Sequence, residues 1–337
     1  MRITFAEKFS EKNYGFNRYV LFLTSIMIYI YLIIMKHLPW FSLNLSKFLQ
    51  AEINIFLFKI MPYRISQIYL HLLGKIYYRF KKNEKLLIEK TIHHIYNGRL
   101  APNELKKLIE EVFKGIFTHY HEKLFVAYSN YTLLKKRFFS WVTITGEDEF
   151  KAALAGGKGI LLVTAHYGAV EWLPGSLAAR GYPVTMILRF QTRKLKRTTE
   201  KIALEMKDAE ILDLNDGNVI FAAIEALKSG RILVTECDEF DTWRKSKKIS
   251  VDFLGQTMQG DKTLDILRKR TGAAVATALM HRNGPKDYTL KLNTLDAEEA
   301  AANPLGKITM EILDEQLKES PEQWYQWKDF GEELGLM

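Results

Sequence analysis

The sequence predicts an α/β fold: a mainly parallel sheet covered by helices on both faces, preceded by a helical N-terminal region and a membrane anchor helix. Three observations carry that prediction. From residue 141 onward, short β-branched runs alternate with longer amphipathic stretches, the pattern of strands joined by crossover helices. Some of those runs, Ile160-Leu161-Leu162-Val163 above all, are apolar without alternation, as strands buried on both faces are. Tyr19 to Met35 is seventeen residues without a charge, flanked by Arg18 and Lys36, at the short end of what spans a bilayer core. The division that follows is an anchor at 1–40, a helical region at 41–140 that packs on the core and the membrane, and an α/β core at 141–337.

In the first region no small-x-small cleavage site follows the uncharged run, which reads as an uncleaved anchor rather than a signal peptide. Basic residues flank it on both sides, so charge does not fix its orientation. Residues 46–80 read as two amphipathic helices broken near Pro62, and Pro102 to Tyr128 as a third with proline in its first turn. His119 and His121 are two apart and face different sides of that helix, so they read as structural residues and not as a metal pair.

The core opens with a strand at Trp141–Thr145 and a helix at Glu147–Ala155. The strand at Ile160–Val163 follows, then a helix over Trp172–Arg180 with Pro174 near its start and Gly181 at its end. Pro183–Leu188 is the next strand, and Arg193, Lys194, Lys196 and Arg197 crowd a helix start. Asp216–Lys228 is a helix, Ile232–Thr235 and Lys248–Phe253 are strands, and Gly260–Arg270 is a helix. Ala273–Met280 is a strand, Asp287–Asn293 an edge strand, and Pro304–Glu319 a helix; Pro321 opens a last helix rich in aromatics.

Composition narrows the function. At 47% hydrophobic and 26% charged, the 337 residues are globular rather than disordered. A net charge of +9 favours an anionic partner such as a membrane surface or a phosphorylated lipid. A single cysteine, Cys237, excludes an intramolecular disulfide and a multi-cysteine metal site. No G-x-G-x-x-G opens a helix, Gly156-Gly157-Lys158-Gly159 lacks the P-loop spacing, and no G-x-S-x-G is present, so nucleotide-binding and serine-hydrolase readings are weak.

The chemistry-bearing stretch is Gly159 to Trp172. Its strand ends in His166, a small turn through Gly168, and Glu171. Ligands of α/β sheets bind at the carboxyl ends of strands, where His166 and Glu171 fall. On one continuous helix five residues rotate by about 500°, leaving the two side chains ~140° apart. They meet only if His166 sits in the turn and Glu171 in the first turn of the next helix. A carboxylate on an imidazole fixes its tautomer and frees the other nitrogen as a base. Gly168 would let backbone amides approach an oxyanion. Taken alone, the pair is equally a packed strand-end histidine beside an unrelated surface glutamate.

In context, His166, four residues, then Glu171 after a buried strand resembles the signature of the lysophospholipid acyltransferase superfamily. The chain is similar to its branch of bacterial lipid A late acyltransferases. It has an apolar N-terminal run, Arg189 closing the next strand, Glu236-Cys237-Asp238-Glu239 after a third, and Ser320-Pro321-Glu322-Gln323-Trp324-Tyr325 near the C-terminus. The resemblance implies a His166/Glu171 dyad that activates an acceptor hydroxyl. The donor would be an acyl carrier protein or coenzyme A thioester and the acceptor a glycolipid such as a lipid A precursor, with another glycolipid or an amino-lipid as alternatives. It also implies an enzyme at the bacterial inner membrane, with its catalytic domain facing the cytoplasm. Arg189 would hold an anionic group of the acceptor, and the block with Asp238 and Glu239 would belong to a substrate pocket. That block reads as an acidic wall that orients Arg244 or holds the shape of the site, with an oxygen-ligand metal site as the other reading; Cys237 reads as a small buried residue. No cofactor, metal or nucleic acid is expected. The rival outside catalysis is a membrane protein that only binds anionic lipid through its basic face. Thr257-Met258-Gln259-Gly260 replaces the proline-containing turn usual in the family.

Overall fold

The computed structural model describes residues 44–337. The expected anchor at Tyr19–Met35 therefore lies outside the described residues. No helix among the described residues is long and apolar enough to cross a membrane. Gln50–Met337 forms one compact unit, and the short helix Leu45–Leu49 belongs to another.

Within the larger unit a mixed sheet of seven strands is built from β1 (Val142–Thr145), β2 (Ile160–Thr164), β3 (Val184–Leu188), β4 (Ala209–Asp213), β5 (Ile232–Glu236), β8 (Ala274–Gly284) and β9 (Asp287–Thr294). A separate hairpin comprises β6 (Lys245–Phe253) and β7 (Gln256–Asp261). The sheet order is β1-β9-β8-β2-β5-β3-β4. β8, β2, β5, β3 and β4 are mutually parallel, while β9 runs antiparallel to β8 and carries β1 parallel to itself. Mainly parallel order is thus present, with two opposed strands at one side.

β2 lies at the centre, and all five of its residues are buried. Ile160 and Leu162 join the core cluster that includes Phe138, Trp141, Trp172, Leu173 and Leu177. Leu161 and Val163 point the other way by the pleat and are buried too, so both faces of this strand are covered. The helices Glu52–Ile60, Tyr63–Phe80, Lys82–Tyr96 and Pro102–Tyr128 precede the sheet. The last of them packs against the turn Val170–Trp172 and against Pro321–Gln323, which brings its side chains to the strand ends.

Two expectations need correction. Asp287–Asn293 is not at an edge: β9 is flanked by β8 and β1, and the edges are β1 and β4. The stretch Thr257–Gly260 is not a turn entering a helix. It is strand β7, paired antiparallel with β6, and the following helix starts at Thr263. The hairpin turns at Leu254 and Gly255, both at positive φ (50° and 76°), as a two-residue hairpin loop demands.

Candidate active site

β2 and β5 pair in parallel with Thr164 opposite Glu236. Two residues past that register lie His166 and Asp238, so the chain ends of neighbouring strands deliver an imidazole and a carboxylate to one place. Asp238 is fully buried. Its Oδ1 lies 3.0 Å from His166 Nδ1, its carboxylate accepts the His166 backbone N–H at 3.0 and 3.2 Å, and Trp324 Nε1–H donates to Oδ2 at 2.7 Å. The Gln326 carboxamide is 3.1 Å from the same Nδ1. The Tyr325 backbone N–H donates to the His166 carbonyl at 3.2 Å, and the Tyr325 ring stands edge-on to the imidazole with centroids 5.2 Å apart. Asp238 thus holds the imidazole at Nδ1 and along its backbone, and Tyr325 stands against the ring.

The other nitrogen, Nε2, faces Glu239 at 3.2 Å and Glu236 at 3.5 Å. Burial alone would lower the His166 pKa, but Glu236, Asp238 and Glu239 outweigh it and raise it well above the ordinary value. Glu236 is pushed up to about 7, chiefly by burial, with Glu239 and Asp238 adding to the shift and His166 opposing it. Burial works to raise Glu239 as well, yet its hydrogen bond to His166 holds it below the usual carboxylate range. An imidazole is a base only when neutral, so the rate of any step using Nε2 should rise with pH through the His166 titration. Glu236→Gln removes a carboxylate that holds the proton on. The expected result is a pH–rate profile whose rising limb moves to lower pH, read from kcat/KM from neutral pH upward, since the His166 titration lies well above the ordinary value.

Glu171 is placed otherwise than the dyad expectation had it. It lies in the 3-10 turn Val170–Trp172, where it pairs with Lys123 at 3.1 Å and stands 3.8 Å from His119, both of the helix Pro102–Tyr128; burial lowers the His119 pKa well below the ordinary value, so that second contact is not an ion pair. The ion pairs of His166 are with Glu236, Asp238 and Glu239. The two motif residues nonetheless border one polar cluster: His119 stacks on Tyr325 at 3.6 Å, and Tyr325 abuts His166.

Gly168 also departs from expectation. Its N–H donates to the Gln323 carbonyl at 2.8 Å, and the Ala169 N–H to the Met280 carbonyl at 2.9 Å. Neither amide is free to meet an oxyanion. Glycine is required for another reason: φ is +58°, and a Cβ would lie 1.9 Å from the Met280 carbonyl oxygen. The Gly168 carbonyl accepts from Arg282 Nη2 at 2.8 Å. Arg282 in turn makes a bidentate pair with the fully buried Glu122, at 2.7 and 2.9 Å, so the long helix and β8 clamp the histidine turn together.

Arg189, at the end of β3, pairs with Asp241 at 2.8 Å on the exposed rim. Asp238 and Glu239 do not orient Arg244 as expected. Arg244 is exposed, and its main-chain N–H donates to Asp261 Oδ1 at 2.7 Å. Glu236 comes to the site with the acidic block expected there, whereas Trp324, Tyr325, Gln326, His119 and Lys123 join it without having been named for it in the sequence. His166, Glu236 and Glu239 each offer one ligand atom, all within 4.8 Å of one another, so a divalent cation has a possible seat. Cys237 is buried, and burial raises its thiol well above the ordinary value, which leaves it protonated rather than nucleophilic.

A comparison with curated proteins gives no match. The family model for bacterial lipid A biosynthesis acyltransferases matches residues 42–328, which takes in the strand-end histidine, the acidic block and the helix that faces them. The chain belongs to the bacterial lipid A biosynthesis acyltransferase family, and it is an acyl-transferring enzyme.

Proposed function

We propose that the protein moves a fatty acyl chain from a thioester to a hydroxyl of a lipid A-type glycolipid at the bacterial inner membrane, with His166 as general base. Nε2 takes the proton from the acceptor hydroxyl, whose oxygen attacks the thioester carbonyl. The C–S bond breaks, and the leaving thiolate takes the proton back from the imidazolium. No covalent acyl-enzyme forms. Asp238 holds the Nδ1–H tautomer, so Nε2 is the nitrogen left for proton transfer. Glu239 and Glu236 give way on Nε2 to the acceptor hydroxyl. Glu171 acts at one remove, fixing Lys123 and His119 behind Tyr325. Arg189 takes an anionic group of the acceptor in exchange for Asp241, and the donor is an acyl carrier protein or coenzyme A thioester.

The observation that carries this reading is the Asp238–His166 bond of 3.0 Å at the end of the central strand, in a chain of this family. Lipid mass spectrometry on cells with and without the gene tests it. A lipid heavier by one fatty acyl group only when the gene is present is expected. An unchanged lipid profile would favour a protein that binds anionic lipid without catalysis.

The clustering of His166, Glu236 and Glu239 within 4.8 Å supports a second reading, a cation seat. A metal there would occupy Nε2 and remove the base. Full acyl transfer after chelation with EDTA is therefore expected, and activity that returns only with added divalent metal would favour the second reading.

A further inference from the structure

The first two helices of the larger unit each show one apolar face too many. Glu52–Ile60 and Tyr63–Phe80 bury Ile55, Phe58, Tyr69, Leu70 and Leu73 and pack on the helix Pro102–Tyr128. They also touch each other, since Tyr69 Oη–H donates to Asn54 at 2.7 Å. Both therefore turn their remaining faces away from the same helix. Along the second one the exposed residues are Arg64, Ile68, Leu72, Lys75, Arg79 and the terminal Phe80; the first five, spaced four, four, three and four, form a single stripe. Along the first they are Glu52, Phe56, Lys59 and Ile60. Phe56, Ile60, Ile68 and Leu72 are 59%, 63%, 56% and 42% exposed.

The charges that these two helices leave without an ionic partner have one sign. None of Lys59, Arg64, Lys75 and Arg79 is ion-paired with another described residue. The single acid, Glu52, is taken by Lys194 at 2.5 Å. Lys194 lies in the first turn of the helix Arg193–Glu205, whose exposed Arg193, Arg197 and Lys201 continue the basic surface at a spacing of four until the stripe ends at the exposed Glu205. Large apolar side chains among unpaired cations are the pattern of a surface that sits in the head-group region of anionic lipid. A second copy of the chain would set like charges against each other, which opposes self-association.

We infer that this surface docks on an anionic bilayer, with Phe56, Ile60, Ile68 and Leu72 entering the interface and the cations facing lipid phosphates. The helix beneath it, about 10 Å across, carries His119 and Lys123 on to the catalytic cluster. A lipid-borne acceptor thus meets the enzyme one helix layer from His166. The inference extends the proposed function, because it takes the acceptor to be held in a membrane, but its test involves no acyl transfer.

The test uses the full chain with Leu72→Cys carrying an environment-sensitive fluorophore, Cys237 being buried. A second label at Lys269→Cys, exposed on the helix Thr263–Thr271, is the comparison. A blue shift at Leu72→Cys with phosphatidylglycerol vesicles is expected. It should be smaller with phosphatidylcholine vesicles, reversed by high salt, and absent at Lys269→Cys. Adding Lys59→Glu, Arg64→Glu, Lys75→Glu and Arg79→Glu should abolish it. The inference is overturned by no shift at Leu72→Cys, by equal shifts at both labels, or by a shift that grows with protein concentration in the absence of vesicles. Because His166→Ala should dock like the wild type, loss of docking and loss of acyl transfer can be told apart.

Discussion

Asp238→Asn is expected to lower acyl transfer by about 10²–10⁴-fold, the range for losing a positioned base, with the fold retained. Asp238 accepts from both the backbone and the ring of His166 and from Trp324. An amide in its place keeps the volume but offers one acceptor oxygen where two are used. The tautomer with Nδ1–H then loses its partner, and Nε2 is no longer reserved as the acceptor. Glu171→Gln should cost less, because its carboxylate pairs with Lys123 rather than His166. Comparing kcat/KM for the two variants against the same acceptor checks the ranking. A larger loss for Glu171→Gln would restore the direct dyad that the motif spacing suggests.

Arg282→Met is expected to destabilise the protein by about 3–5 kcal/mol, the cost of breaking a buried ion pair by removing one partner. Glu122 is fully buried and pairs with Arg282 through both oxygens; without the guanidinium its carboxylate stays buried and uncompensated. Burial already raises the Glu122 pKa, and Arg282 opposes that rise, so the variant should protonate Glu122 more readily. The Gly168 carbonyl also loses its donor, which should slacken the histidine turn and lower activity. Combining Arg282→Met with Glu122→Leu should recover part of the stability, since an apolar pair of similar volume avoids the stranded charge. Unfolding in urea measures both effects. A single variant as stable as the wild type would show that the pair does not hold the turn.

Much of this architecture could be read ahead of the structure, and the exceptions have physical causes. β2 was legible because Ile160–Val163 is apolar at every position, which only a doubly buried strand tolerates. β4, with the sequence AEILD, was not: at the sheet edge it is only partly buried and carries Glu210 and Asp213. The helix Lys82–Tyr96 escaped notice because charges crowd its first turns and its buried residues, Leu87, Ile88, Thr91, Ile92 and Ile95, lie towards its end. β9 read as an edge strand because Asp287, Lys291 and Asn293 interrupt it, yet β1 covers that side.

At the site, His166 was legible from its place at a strand end. Its true carboxylate partner was not, because Asp238 is 72 residues away and only the register Thr164–Glu236 puts them side by side. Local spacing drew attention to Glu171 instead, which the 3-10 turn directs to another helix. The stretch Trp324–Trp327 shows in the sequence only as aromatic residues after Pro321. Trp324 and Trp327 are buried, and Trp324, Tyr325 and Gln326 contact Asp238 or His166.

The most direct test is the acyl-transfer rate of full-length His166→Ala, measured with a thioester donor and a hydroxylated glycolipid in vesicles and read by product mass. The account predicts a loss of at least about 10²-fold with an unchanged unfolding midpoint. A variant that transfers acyl chains at the wild-type rate would contradict it.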